Sequence, residues 1–214
     1  MRTNKRTFAP ALIVPDTVLA PLDVISIFGR TARLEIDLGC GDGSFLVALA
    51  EEDPATNFLG VERLAGRVRS ACRKIGARGL TNAKIVREDI QHAVQQFFAP
   101  GSVDVFHLMF PDPWPKRRHF SRRTLSESFL RAVRRALQPG GELRIATDHA
   151  DYFAAMQETL PQVEGFESLA LEHSLGVPMS TFEKHYRNHG MKIHRLALRK
   201  TSGRRNETAS QRSR

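Results

Sequence analysis

Leu34-Glu35-Ile36-Asp37-Leu38-Gly39-Cys40-Gly41-Asp42-Gly43-Ser44-Phe45-Leu46 decides the fold of this chain. Arg33 to Leu38 reads as a strand and Gly39 to Gly43 as a turn. Ser44 to Glu52 then reads as a helix with Phe45, Leu46 and Leu49 inward, ended by Pro54. A strand that breaks on glycines straight into a helix is the start of a β-α-β unit, and the same alternation continues outward. Asn57 to Glu62 is a second strand, followed by a helix around Val68 to Ile75. Ala83 to Arg87 is a third strand, closing near Asp89. Val103 to Phe110 is a nearly unbroken apolar run, as a central parallel strand covered on both faces requires.

Leu125, Phe129, Val133 and Ala136 recur at helical spacing, which turns Arg131, Arg134 and Arg135 toward solvent. Gln138-Pro139-Gly140-Gly141 reads as a turn into a strand over Glu142 to Thr147, and a helix follows Asp148. Phe166 to Leu171 and Lys192 to Leu198 are late strand candidates, able to pair as an antiparallel hairpin on one edge. The pattern predicts an α/β three-layer sandwich, a doubly wound, mostly parallel sheet of about seven strands. Residues 31–200 form its single domain, after a partly flexible segment 1–30 and before a disordered basic tail 201–214.

The chain has 214 residues, 41% hydrophobic and 26% charged, which suits one sizeable soluble domain. No apolar run approaches the ~20 residues that cross a bilayer, and Pro10, Pro15 and Asp16 interrupt any leader-like stretch. Two cysteines, Cys40 and Cys72, give neither a disulfide framework nor a four-ligand metal site. His185, His189 and His194 lack a carboxylate or thiol to complete one. The expectation is a cytoplasmic protein with no membrane partner and no metal; monomer and homodimer both stay open.

Net charge is +9, unevenly spread. Residues 1–7, 116–135 and 199–214 together carry +15, leaving −6 for everything else. Lys116, Arg117, Arg118, Arg122 and Arg123 follow two prolines and precede the helical period, so amphipathicity does not account for them. They predict a polyanionic partner held at one face.

Ligands of doubly wound sheets bind beyond the carboxyl ends of the strands. Here Asp37, Glu62, Asp89 and Asp112 stand at or just after the ends of the first four strands. The turn Gly39-Cys40-Gly41-Asp42-Gly43 lets backbone approach a ligand closely, but its third glycine comes one residue too early for the dinucleotide fingerprint. Asp37 and Asp42 flank the turn and would repel a pyrophosphate. S-adenosylmethionine, with a sulfonium, an ammonium and no phosphate, suits these acids better than a nicotinamide dinucleotide. Glu62 would take the ribose hydroxyls and Asp89 the adenine amine.

Phe110-Pro111-Asp112-Pro113-Trp114-Pro115-Lys116 is the most specific stretch, its prolines fixing where Asp112 and Trp114 point. With Arg118-His119, Ala146-Thr147-Asp148 and Ser180-Thr181-Phe182-Glu183, it closely resembles the bacterial tRNA (guanine-N7-)-methyltransferase family over about Leu34 to Glu183. The resemblance implies a class I, Rossmann-like fold and methylation of a variable-loop guanine of tRNA, position 46 in tRNA numbering. It places the first-strand acid on Asp37 beside Gly39 and Gly41, the ribose acid on Glu62, the adenine-side acid on Asp89 and the catalytic acid on Asp112. It places substrate contacts on Lys116, Asp148, Ser180, Thr181, Phe182 and Glu183. Asp37 stands where glutamate is usual and Ser180 where threonine is. Methylation of an exocyclic amine of RNA or DNA is the alternative chemistry, since Asp112-Pro113-Trp114 is loosely similar to the (Asp/Asn)-Pro-Pro-aromatic loop. An RNA-binding module with a vestigial cofactor pocket is the non-enzymatic alternative.

Overall fold

A computed structural model describes residues 11–17, 19–113, 125–160, 163–170, 178–179 and 181–202, the side chains of Thr181 and Phe182 excepted. The strands are β1 (Leu12–Ile13), β2 (Leu34–Leu38), β3 (Asn57–Val61), β4 (Ala83–Val86), β5 (Val103–Met109), β6 (Leu137–Thr147), β7 (Phe166–Ser168) and β8 (His194–Lys200). The helices are α1 (Val24–Phe28), α2 (Ser44–Glu52), α3 (Ala65–Arg78), α4 (Ile90–Gln96), α5 (Glu127–Ala136), α6 (Ala150–Thr159) and α7 (Thr181–Asn188).

One eight-stranded sheet has the order β1-β4-β3-β2-β5-β6-β8-β7. The pairs from β1 through β6 are parallel, and β8 runs antiparallel to both β6 and β7. The chain winds outward from β2 to β3 and β4, then returns to lay β5 on the other flank of β2. The crevice between β2 and β5 is therefore the topological switch point. Alternate residues of each strand feed two cores, as period-2 geometry demands. Leu59, Val61, Val86, Phe106, Leu143 and Ile145 meet α4, α5 and α6 on one face. Phe58, Ala83 and Ile85 meet α2 and α3 on the other.

Besides the helices α1, α4 and α7, which the sequence reading did not foresee, three features depart from it. The sheet has eight strands, not about seven, because Leu12 and Ile13 pair with Ile85 and Val86; two residues are too few to show a period. The turn expected over 138–141 is absorbed into β6 as an irregularity, where the register jumps from Val103 opposite Leu137 to Val105 opposite Glu142. Gly140 takes φ +79° there and the Gln138 amide binds the Asp104 carboxylate. Lastly, Arg135 is engaged: its guanidinium donates to the carbonyls of Val94, Gln95 and Phe98 at 3.2, 2.9 and 3.0 Å, closing the C-terminal end of α4. Among the described residues, no helix is long and apolar enough to cross a membrane.

Candidate active site

Asp37 is the penultimate residue of β2, and burial of that whole strand takes its carboxylate out of water. Its Oδ2 has no hydrogen-bond partner among the described residues. Burial, and then the nearby charge of Glu62, push the Asp37 carboxyl up to about 7. Glu62 follows β3 and is also buried. Its carboxylate accepts from the backbone N–H of Gly41 (3.1 Å) and of Leu64 (2.8 Å), tying the glycine turn to the start of α3.

Gly39, Gly41 and Gly43 all have positive φ, of 76°, 57° and 76°. A Cβ at Gly39 would meet nothing within 4 Å, so the turn leaves room beside it for a ligand. Gly43 differs: a Cβ there would lie 2.6 Å from Cβ of Ala71, so this glycine lets α2 close on α3.

A cavity of about 530 Å³ opens beyond these strand ends. Gly39, Glu62, Asp89 and Asp112 line it, with Leu38, Leu108 and Phe110 supplying apolar wall and Arg63 and Arg67 a cationic edge. Asp89 caps α4, accepting from the N–H of Gln91 at 2.8 Å, which fixes its carboxylate at the rim. Asp112 is exposed on the wall formed by the end of β5. Asp37 and Gly41 are not part of this wall; one is buried and the other holds Glu62.

Phe110 joins β5 to the Asp112 loop with φ +55°, the one non-glycine residue with positive φ among those described. Bulky side chains adopt that region at a cost, so something must hold it. The Phe110 ring packs on Tyr186 of α7, with centroids 5.3 Å apart. Burial, then the carboxylates of Asp148 and Asp112, push the Tyr186 phenol up. Tyr186 thus lies within the electrostatic reach of two acids expected at the site, and the sequence reading did not pick it out; its spacing three residues after Glu183 on an amphipathic helix was the available signal.

Glu183 itself is buried and does not line the cavity. Its carboxylate accepts from Arg187 (2.8 Å) and from Arg195, clamping α7 to β8. Asp148 is half-buried between β6 and α6. Thr181 and Phe182 open α7. Lys116, Arg117, Arg118, Arg122, Arg123 and Ser180 lie outside the described residues.

The donor set fits a cationic cofactor. An orphaned buried carboxylate oxygen on Asp37 suits an ammonium, Gly39 leaves space, and Glu62 and Asp89 bring acceptors to the cavity for hydroxyl and amine donors. The 23%-identical antibiotic-resistance methyltransferase Kmr has the same fold, with a TM-score of 0.56 over 85% of this chain and 92% of that one. Fold and strand-end acids together define a doubly wound α/β protein of the class I, Rossmann-like methyltransferase fold.

Residues 31–196 match the family model described as "Putative methyltransferase". The chain is 32% identical over 207 residues to a tRNA (guanine-N(7)-)-methyltransferase of Syntrophotalea carbinolica, covering 94% of this chain and 89% of the relative. It is 36% identical over 176 residues to another of Nitrosomonas europaea, covering 81% and 77%. The chain belongs to the tRNA (guanine-N7-)-methyltransferase family.

Proposed function

We propose that this enzyme methylates N7 of a guanine in the variable loop of tRNA, position 46 in tRNA numbering, in the cytoplasm. Membership of the family supports the reaction. The observation that carries the site is Asp112 facing Glu62 and Asp89 around one cavity at the switch point. S-adenosylmethionine, when bound, supplies an electrophilic methyl group on a sulfonium.

The residues divide the work. Asp37 takes the ammonium, Glu62 the ribose hydroxyls and Asp89 the adenine amine. Guanine N7 has a free lone pair and no proton at neutral pH, so no general base is required, and alignment for in-line attack supplies most of the rate. Asp112 orients the base and stabilises the positive charge that develops on the purine. A-form RNA buries N7 in a deep, narrow groove, so the target base must be unstacked. The Phe110–Tyr186 pair beside Asp112 offers it an aromatic surface. Lys116, Arg117, Arg118, Arg122 and Arg123, which follow Asp112 in the chain, hold phosphates. Asp148 and the Ser180–Glu183 segment complete the substrate side, Glu183 by fixing α7.

Incubation of the purified protein with labelled methyl donor and bulk tRNA, followed by cleavage selective for 7-methylguanine, tests the assignment. Scission in the variable loop is expected. Label found on an exocyclic amine would move the enzyme to the rival chemistry, and absence of donor binding by calorimetry would favour a vestigial pocket.

A further inference from the structure

Helix α3 carries five cations, Arg67, Arg69, Arg73, Lys74 and Arg78, and no acid in fourteen residues. Arg63 precedes it, and Arg87 at the end of β4 donates to the Arg63 carbonyl at 3.2 Å, extending the same surface. Val68, Ala71 and Ile75 point inward and account for the helix's place in the core.

The cations fall into two sets. Arg67, Lys74 and Arg78 are matched by Glu62, Asp42 and Glu51. Arg63, Arg69, Arg73 and Arg87 are exposed, and none pairs with an acid among the described residues. Arg69 and Arg73 are four apart, so they stand on neighbouring turns and repel each other. Leu64 provides no side-chain cap and the first turn has no acid, so nothing within the helix offsets that repulsion.

We propose that this outward face of α3 is a second contact surface for the substrate, gripping phosphates of the tRNA body away from the methylated nucleotide; this rests on the tRNA reading above. Continuity with the site is the first reason. Leu64 and Arg67 line the cavity, and α3 runs from there for roughly 20 Å at 1.5 Å per residue. RNA whose target base enters the cavity must continue past one of its walls, and this wall leads onto the unmatched arginines. Residue type is the second reason. All four unmatched cations are arginines, whose fork binds phosphate bidentately, whereas the one lysine of the helix is paired with Asp42. An anionic membrane is a poorer match, because Gly66, Ser70 and Ala77 between the arginines offer no side chain large enough to insert.

The test is the double variant R69Q/R73Q, which removes charge from exposed positions while keeping good helix formers. Affinity for full-length tRNA is expected to fall at least about tenfold near physiological salt. The slope of log K against log salt should flatten by about 1.5, at roughly 0.7–0.9 for each phosphate that is no longer neutralised. Turnover at saturating tRNA, and methylation of an RNA of a few nucleotides carrying the target guanine, should stay at the wild-type level, because such an RNA does not reach the middle of α3. R69K/R73K should restore most of the slope.

Unchanged tRNA affinity and slope, in a protein whose wild type forms 7-methylguanine in tRNA, would overturn the α3 surface alone. An equal loss on the short RNA would also overturn it, placing the effect in the cavity. If the wild type binds an acidic protein or anionic vesicles and the variant does not, while tRNA binding is intact, the surface belongs to that partner. A wild type that neither binds nor methylates tRNA removes the functional reading and this inference with it.

Discussion

Asp37 joins two features that ordinarily exclude each other, a carboxylate and near-complete burial without a partner for one oxygen. The unfolded chain ionises this group near 3.8 and the folded protein near 7, so between those values only the folded state holds the proton. Stability from this residue is therefore full below pH ~4, declines as pH rises, and is lost above pH 7. The span of about three units corresponds to an upper bound of about 4 kcal/mol. Asp37→Asn should melt with the wild type near pH 4 but increasingly above it as pH rises to 8 in ligand-free protein, while binding S-adenosylmethionine more weakly. Parallel melting curves from pH 5 to 8.5 would show that Asp37 ionises freely and is no poised ammonium site. Asp112 lies at the other extreme, exposed on the rim, with little to do for folding. Asp112→Ala is expected to lower kcat by about 10²–10³, the usual cost of losing one electrostatic stabiliser, with cofactor affinity within a few-fold. Single-turnover kinetics and calorimetry separate the two, and unchanged turnover would take Asp112 out of the mechanism.

The glycine turn and its two flanking helices show what an element demands beyond its own residues. Gly39 and Gly43 share φ +76°, so alanine at either meets the same left-handed strain, about 1–2 kcal/mol. Only at Gly43 does the new Cβ also strike Ala71, at 2.6 Å from its Cβ and 2.9 Å from its Cα. Backbone cannot step aside cheaply, and overpacking of this kind adds about 1–3 kcal/mol. Urea unfolding should therefore place Gly43→Ala below Gly39→Ala by that difference, while Gly39→Ala suffers more in cofactor affinity. Equal stabilities would mean that α2 and α3 are not in close contact. That contact was invisible in the sequence, where the glycine bend was legible but the partner of Gly43 lies 28 residues on. The elements themselves were legible where a period or an apolar run was long enough: β2 to β5, α2, α3 and α5. The two-residue β1, the five-residue α1 and the short α4 gave no period. The bend in β6 looked like a turn because Pro139, Gly140 and Gly141 serve bulges and turns alike.

Across the whole molecule, the four strand-end acids could be read from the sequence because parallel topology brings all carboxyl ends to one edge. What could not be read depends on contacts between distant segments. Tyr186 reaches Phe110 from 76 residues away, and Arg135 reaches α4 from 37 to 41 residues away. The cationic face of α3 was hidden by a different effect. Summed with the acids that surround it in sequence, it vanished into a body netting −6, and only the sorting of matched from unmatched charges in three dimensions exposes it. The same view of the molecule yields a test of which ligand the acid edge accepts. A ligand that binds only the folded state raises stability by RT ln(1 + [L]/Kd), about 2.7 kcal/mol at one hundred times Kd. For a domain of this size each kcal/mol moves the melting temperature by about 2–4 °C. S-adenosylmethionine at that excess should raise it by roughly 5–10 °C, more at pH 8 than at pH 6, because at pH 6 binding an ammonium at Asp37 must first displace its proton. A nicotinamide dinucleotide at the same concentration should leave it unmoved, its pyrophosphate repelled at pH 8 by the Asp37 carboxylate beside the glycine turn. Stabilisation by the dinucleotide and not by S-adenosylmethionine would invert the charge logic on which the site is built.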